Sequence, residues 1–375
     1  MQDDKQKPKI LFLAQLPPPV HGASQRNLSV AESEIINENF DLIILPLSFS
    51  KTIKELGKTS FKKFFLFLSF VFRLIKLLFQ NKFSFAYYTI SVRPLGITRD
   101  AIIIFILRLF NVKLLYHLRN KGVKVYSKNK FLKIIYKWVF KNSSVICLSK
   151  SISLDIIDFI NDSQLYIVPN GIKVSEVKVE EKAETQSLNF IYLSHLRKSK
   201  GIMEFLEALK KLSDKGYQVS ATVVGDEGDI GFDVINDFCK SHKIEDKVDV
   251  KGPLYGNQKF EALNNADIFV FPTYYYNEIF PGVILEAMQM KLPIITTNEG
   301  AISDMIQDRK NGLIVDKQSI ESLEKAMTEL AENKALRQQI SKQAYEDFYN
   351  YFTMEVFETN MLEVYKTIND KNSAL

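Results

Sequence analysis

Short, mostly apolar runs recur along this chain, and longer stretches with apolar residues at helical spacing separate them. The runs cover 9–16, 41–46, 85–89, 113–118, 145–148 and 167–169, then 189–193, 219–224, 247–250, 266–272, 293–296 and 311–315. Strands alternating with helices in this way imply parallel, doubly wound sheets, which hold ligands at the carboxyl ends of their strands. At 375 residues the chain is long enough for two domains, each with its own core.

The most informative local pattern follows the run 266–272, which a proline ends. Glu278 and Glu286 stand with seven residues between them. Pro281 suits a first helical turn, and residues 285–290 are mostly good helix formers. Glu278 is therefore expected on the loop before a helix, and Glu286 about one turn inside it. The N–H groups of Gly282, Val283 and Ile284 then lie at the positive end of the helix dipole, which holds phosphate readily. With a carboxylate on each side to accept hydroxyl hydrogen bonds, the unit suits a ligand with phosphate in the middle and polyols at both ends. A nucleotide sugar has that shape. Spacing alone leaves open that Glu278 caps a helix and Glu286 is solvated.

Other loops carry similar chemistry. Residues 194–201, Ser-His-Leu-Arg-Lys-Ser-Lys-Gly, place Arg197 and Lys200 between a strand and a helix, where cations clamp a diphosphate or form a solvated cluster. Gly22 lies on the loop 20–24 after the first strand, where small residues let a ligand approach the backbone or merely turn the chain. His117 ends a strand, a position that is structural unless something more points to a ligand.

Charge is distributed unevenly. Residues 51–150 hold 21 Lys plus Arg against only Glu55 and Asp100, a balance of +19, while the remainder holds 28 against 42, or −14. Within the basic half, residues 61–80 read as an amphipathic helix whose polar stripe is Lys62, Ser69, Arg73, Lys76 and Gln80. Its longest uncharged run, 64–72, is too short to span a bilayer. One reading buries its apolar face in a core. The other rests it on anionic lipid, with bases towards headgroups and phenylalanines towards acyl chains. Nucleic acid is a poorer partner for so phenylalanine-rich a face. Cys147 and Cys239 stand far apart in apolar segments, as reduced thiols of a cytosolic protein do, and the run 10–14 is too short for a signal-peptide core.

The stretch Glu278-x-Phe280-Pro281-Gly282-Val283-x-x-Glu286-Ala287-Met288 resembles the Glu-x7-Glu signature of retaining glycosyltransferase family 4, which has the GT-B fold. Residues 194–201 resemble that family's Gly-Arg-Leu-x-x-x-Lys-Gly, with His195 where the family has arginine, and 168–172 resemble its Pro-Asn-Gly segment. The resemblance runs from Ile10 to about Tyr365 and is densest over 194–315. It implies two Rossmann-like, doubly wound domains facing a cleft: 1–172, a linker at 173–187, and 188–352, with 353–375 as a helix crossing back to the first domain.

By resemblance, Lys200 and the 282–284 amides stabilise the leaving diphosphate, with Arg197 able to stand in for the missing arginine. Glu278 holds sugar hydroxyls, Glu286 the ribose, and His117 helps place the sugar. Gly22, Leu254 and Phe280 border the donor. The implied activity is transfer of a sugar from a nucleotide sugar, UDP favoured over GDP, to a lipid-linked or other saccharide acceptor in bacterial surface polysaccharide synthesis. The implied location is the cytoplasm, peripheral on the inner face of the membrane. No cofactor is expected, and no metal either, since the chain contains no Asp-x-Asp. Alternatives are a nucleotide-sugar epimerase of the same fold and a non-catalytic membrane-binding module. A phosphorylase would need pyridoxal phosphate, which the glutamate pair argues against.

Overall fold

In a computed structural model the described residues are 7–19, 22–47, 61–179 and 187–373. They divide into two compact units, Met1–Asn170 with Phe357–Leu375, and Gly171–Val356. Each unit is built on a six-stranded, wholly parallel sheet.

The first sheet is assembled from β1 (Lys9–Leu13), β2 (Asp41–Ile44), β3 (Phe85–Tyr88), β4 (Leu114–His117), β5 (Ser144–Cys147) and β6 (Leu165–Ile167). Its spatial order is β2-β1-β3-β4-β5-β6, so the winding reverses between β1 and β3. The connecting helices are α1 (Gly22–Glu32), α2 (Glu34–Asn39), α3 (Phe61–Gln80), α4 (Pro94–Leu109), α5 (Val123–Tyr126), α6 (Lys130–Phe140) and α7 (Lys150–Ser153). Helices α3, α4 and α6 cover one face, where Leu13, Tyr88 and Tyr116 meet Leu74, Ile104 and Tyr136.

The second sheet comprises β7 (Leu188–Leu193), β8 (Val219–Val224), β9 (Val248–Gly252), β10 (Ile268–Phe271), β11 (Ile294–Thr296) and β12 (Leu313–Ile314). It is ordered β12-β11-β10-β7-β8-β9, with its reversal between β7 and β10. Its helices are α8 (Ile202–Asp214), α9 (Phe232–Ser241), α10 (Gly256–Asn264), α11 (Gly282–Gln289), α12 (Ile302–Met305), α13 (Ile320–Glu332) and α14 (Lys334–Tyr351), and α15 (Met354–Ser373) follows. Alternate strand residues feed opposite faces: Phe190 and Tyr192 pack with α8 and α13, while Ile191 and Leu193 pack with α11 and α14.

Every expected strand forms, with bounds shifted by one to three residues at some ends. Local chemistry sets several helix ends. Helix α4 begins at Pro94, because proline's fixed φ and missing N–H suit a first turn. Helix α6 was not anticipated; Asn129 starts it by accepting bonds from Phe131 N (3.0 Å) and Leu132 N (3.2 Å). Asn333 separates α13 from α14: it ends the first and caps the second, taking Leu336 N at 2.9 Å.

Residues 180–186 of the expected linker lie outside the described residues. Its first part is tied to the second unit, with Ser175 N donating to Gln289 Oε1 at 2.9 Å; Ile172, expected in the first domain, also belongs to the second unit, its N–H donating to Phe352 O at 2.9 Å. From Phe357 onward α15 belongs to the first unit, where Tyr365 packs edge-on against Phe85 (5.3 Å between ring centroids) and Phe40 (5.9 Å).

Candidate active site

In the second unit the winding reverses between β7 and β10, the place where open parallel sheets bind ligands. The loop leaving β7 carries Arg197 and Lys200, and the loop leaving β10 carries Glu278. Lys200 Nζ and Glu278 Oε2 form an ion pair, with side chains only 13% and 11% exposed. Thr273 Oγ1 also reaches Glu278 Oε2, at 3.5 Å. Lys200 Nζ lies over the Tyr275 ring at 4.9 Å, and Arg197 faces the same ring at 5.9 Å. The aromatic faces add modest attraction for both cations and confine them to one side of the loop.

Two glycines let these loops meet. Gly201 has φ +81°, and a Cβ there would stand 2.4 Å from Pro272 O. Gly300 has φ +59°, and a Cβ there would stand 2.1 Å from Glu278 O. Any side chain at either position would push apart the backbones that bring Lys200 to Glu278.

Helix α11 begins at Gly282, with Pro281 as its N-cap, as the pattern implies. Ile284 N donates to Pro281 O at 3.2 Å, so it is not one of the outward amides expected from the sequence. The intrahelical 4→1 pattern gives Gly282 and Val283 no acceptor of their own at the positive end of the helix. Glu286 lies one turn inside and pairs with Lys259 of α10 at 2.7 Å. Sequence reasoning missed Lys259 because only the packing of α10 on α11 brings it there. Phe280 turns inward against Phe352, with ring centroids 6.1 Å apart. Leu254, just past β9, packs partly buried on the α11 side of the core. His195, at the family's arginine position, is exposed and lies 3.9 Å from Asp226.

The remaining candidates belong to the first unit. Gly22 starts α1, and Val20 and His21 before it lie outside the described residues. His117 ends β4 fully buried, with Nδ1 2.8 Å from Tyr87 Oη. Burial raises the pKa of the Tyr87 hydroxyl, and the direction of its hydrogen bond with Nδ1 is set by the imidazole tautomer. Burial first, and the nearby Arg119 charge second, push His117 well below its usual 6.5, so the ring is neutral at pH 7. A neutral ring here can orient a ligand hydroxyl but does not act as a cation.

The two doubly wound parallel sheets define the class: an α/β protein of the GT-B type. Structures of that class superpose over nearly the whole chain. A glycosyltransferase from Rickettsia africae ESF-5 matches with a TM-score of 0.76 at 18% identity, covering 97% of this chain and 99% of that one. Anabaena Alr3699/HepE in complex with UDP matches with a TM-score of 0.71 at 15% identity, covering 96% and 100%.

Residues 174–347 match the family model of glycosyl transferases group 1. The capsular polysaccharide biosynthesis glycosyltransferase CapM of Staphylococcus aureus is 26% identical over 61% of this chain and 63% of its own length. An Escherichia coli UDP-Gal:alpha-D-GlcNAc-diphosphoundecaprenol alpha-1,3-galactosyltransferase is 23% identical over 56% and 58%. The chain therefore spans less than two thirds of the length of these curated relatives.

Proposed function

We propose that the protein is a retaining, metal-independent glycosyltransferase that moves a sugar from a UDP-sugar to a lipid-linked saccharide during bacterial surface polysaccharide synthesis. The observation that carries this reading is the Lys200–Glu278 pair beside the amide end of α11, with Glu286 one turn on. A diphosphate at Gly282 and Val283 would take Lys200 as counter-ion, releasing Glu278 to hold sugar hydroxyls, while Glu286 holds the ribose. The acceptor oxygen then bonds to the anomeric carbon on the face from which the diphosphate departs. The anomeric C–O bond breaks, and the acceptor's proton passes to the departing phosphate. Lys200 and the amides stabilise the charge growing on that phosphate. The UDP-bound structure and the UDP-galactose enzyme among the similar proteins favour uridine as the nucleotide.

The lipid-linked acceptor is supported by the outer face of α3, α4 and α6. No helix among the described residues is long and apolar enough to cross a membrane. Helix α3 sends Phe70, Leu74 and Leu78 into the core but leaves Phe65 (66% exposed), Phe72 (71%) and Phe79 (78%) outside. Phe79 touches Phe110 at the end of α4, with centroids 5.0 Å apart, and α4 exposes Ile102, Phe105 and Leu109. Arg108 of α4 lies 4.5 Å over the Trp138 ring of α6, whose outer side alternates Lys130, Lys133 and Lys137 with Phe131 and Ile134. Apolar surface fringed by cations suits the inner, anionic face of a membrane, on which the enzyme would sit peripherally.

A thermal-shift screen of UDP, GDP and ADP, followed by NMR of the anomeric product from the matching sugar donors in the presence of EDTA, tests the enzyme reading. Stabilisation by one nucleotide and a product of unchanged anomeric configuration are expected. A folded protein indifferent to all three would overturn it.

A further inference from the structure

The guanidinium of Arg119, just past β4 in the first unit, is anchored at one corner only. Its Nη1 donates to Asn170 Oδ1 at 2.9 Å. Nε and Nη2 are shut off from solvent and have no hydrogen-bond partner among the described residues, and no carboxylate there pairs with the charge. Tyr87 Oη feels both the charge and a hydrogen-bonding pull from the guanidinium that falls short of a full hydrogen bond, and it is paired with His117 Nδ1 at 2.8 Å.

Buried charges in folded proteins are paired, because an uncompensated one costs several kcal/mol, and buried polar groups that lack a partner call for a ligand or an ion. The two idle nitrogens are not an arbitrary pair. Nε–H and the neighbouring Nη2–H point the same way and form the side-on fork of an arginine, which matches two oxygens of one phosphate or carboxylate. Holding Nη1 on Asn170 fixes the plane of the fork in advance. His117 adds another buried, unpartnered polar atom, Nε2, at the same strand end. No acceptor of matching charge is offered by the chain itself among the described residues.

We infer that Arg119, held by Asn170, is the two-pronged receptor for an oxyanion borne by the acceptor, separate from the donor-diphosphate site around Lys200. The assignment of this anion to the acceptor rests on the proposed transferase reading; the anion site itself does not. The shared chemistry is a pair of anionic oxygens, from either a phosphate of a lipid carrier or the carboxylate of an acidic sugar.

The test uses the full chain with 15N-labelled arginine, titrated with methyl phosphate and with methyl glucuronate while the Arg119 Nε–H resonance is followed. Its assignment comes from loss of that peak in Arg119→Lys. Binding to the variants is read by calorimetric titration of the same anions; lysine keeps the charge but not the fork, so it should weaken roughly tenfold in Arg119→Lys. Asn170→Ala, which removes only the anchor, should weaken it less. A downfield shift with methyl phosphate alone supports a phosphate-bearing ligand, with methyl glucuronate alone an acidic sugar, and with both the shared site. An Arg119 peak unmoved by either anion overturns the inference whatever the variants do. UDP binding is measured in parallel: its absence alongside a responsive Arg119 sinks the transferase reading and keeps the anion site, and its presence alongside a silent Arg119 does the reverse.

Discussion

Lys200 and Glu278, 78 residues apart in the chain, neutralise each other where the second sheet reverses its winding. The lysine that would hold a diphosphate is thus already occupied by the carboxylate that would hold the sugar. A donor must exchange one partner for the other, so the two variants should behave differently. Glu278→Gln removes the competitor for Lys200 and should bind UDP more tightly than wild type while turning over UDP-sugar more slowly. Lys200→Ala should lose about 10²–10³-fold in kcat. It also strands a nearly buried carboxylate, at about 3 kcal/mol in stability. Calorimetric UDP titration with steady-state rates checks both; equal UDP affinity in wild type and Glu278→Gln would show that the pair does not compete with the donor.

Lys259 holds Glu286 at 2.7 Å, both largely buried, and so fixes the carboxylate assigned to the ribose. Lys259→Met should weaken UDP binding about fivefold, the worth of roughly one oriented hydrogen bond. The same substitution should leave 2′,3′-dideoxy-UDP unaffected, because that ligand has no hydroxyl for Glu286. Equal weakening of both ligands would assign Lys259 a purely structural role.

His117 makes stability depend on pH. Its folded pKa lies well below 6.5, with burial the main cause, so below about pH 6.5 the unfolded chain takes up a proton that the folded chain refuses. The stability from this residue is complete above about pH 6.5 and falls as pH drops, by up to about 1.4 kcal/mol per unit, until the folded pKa is reached. Denaturant melts at about pH 7 and about pH 5 should show a gap that His117→Gln narrows. An unchanged gap would place the acid sensitivity elsewhere.

Phe72 and Phe105 are exposed by 71% and 54%, so replacing them with serine should cost the fold little. If their rings enter lipid, each carries up to about 1.5–3 kcal/mol of burial. Phe72→Ser with Phe105→Ser should therefore lower co-sedimentation with phosphatidylglycerol-containing vesicles by at least roughly tenfold, with Tm unchanged. Wild-type protein that ignores anionic vesicles would remove the support for a lipid-borne acceptor.

Much of this was legible in the residues. Period-two and period-3.6 patterns are local, so β8 was bounded correctly at Val219–Val224 and α3 at Phe61–Gln80. The Pro281–Gly282 start of α11, and with it the placing of Glu278 before and Glu286 inside the helix, followed from helix chemistry in a dozen residues. What the sequence could not contain is which distant side chains meet. Lys259 reaches Glu286 only because α10 packs on α11. Lys200 reaches Glu278 only because β7 and β10 are neighbours and Gly201 and Gly300 let their loops close. The outward share of α3 likewise depended on how much of it the sheet could cover, which turned out to be the stripe of Phe70, Leu74 and Leu78. And the two idle prongs of Arg119 exist only because Asn170, 51 residues away, takes the third. Local periodicity determined the elements; the order of strands in each sheet decided which charges became neighbours, because a charge interacts through space and not along the chain.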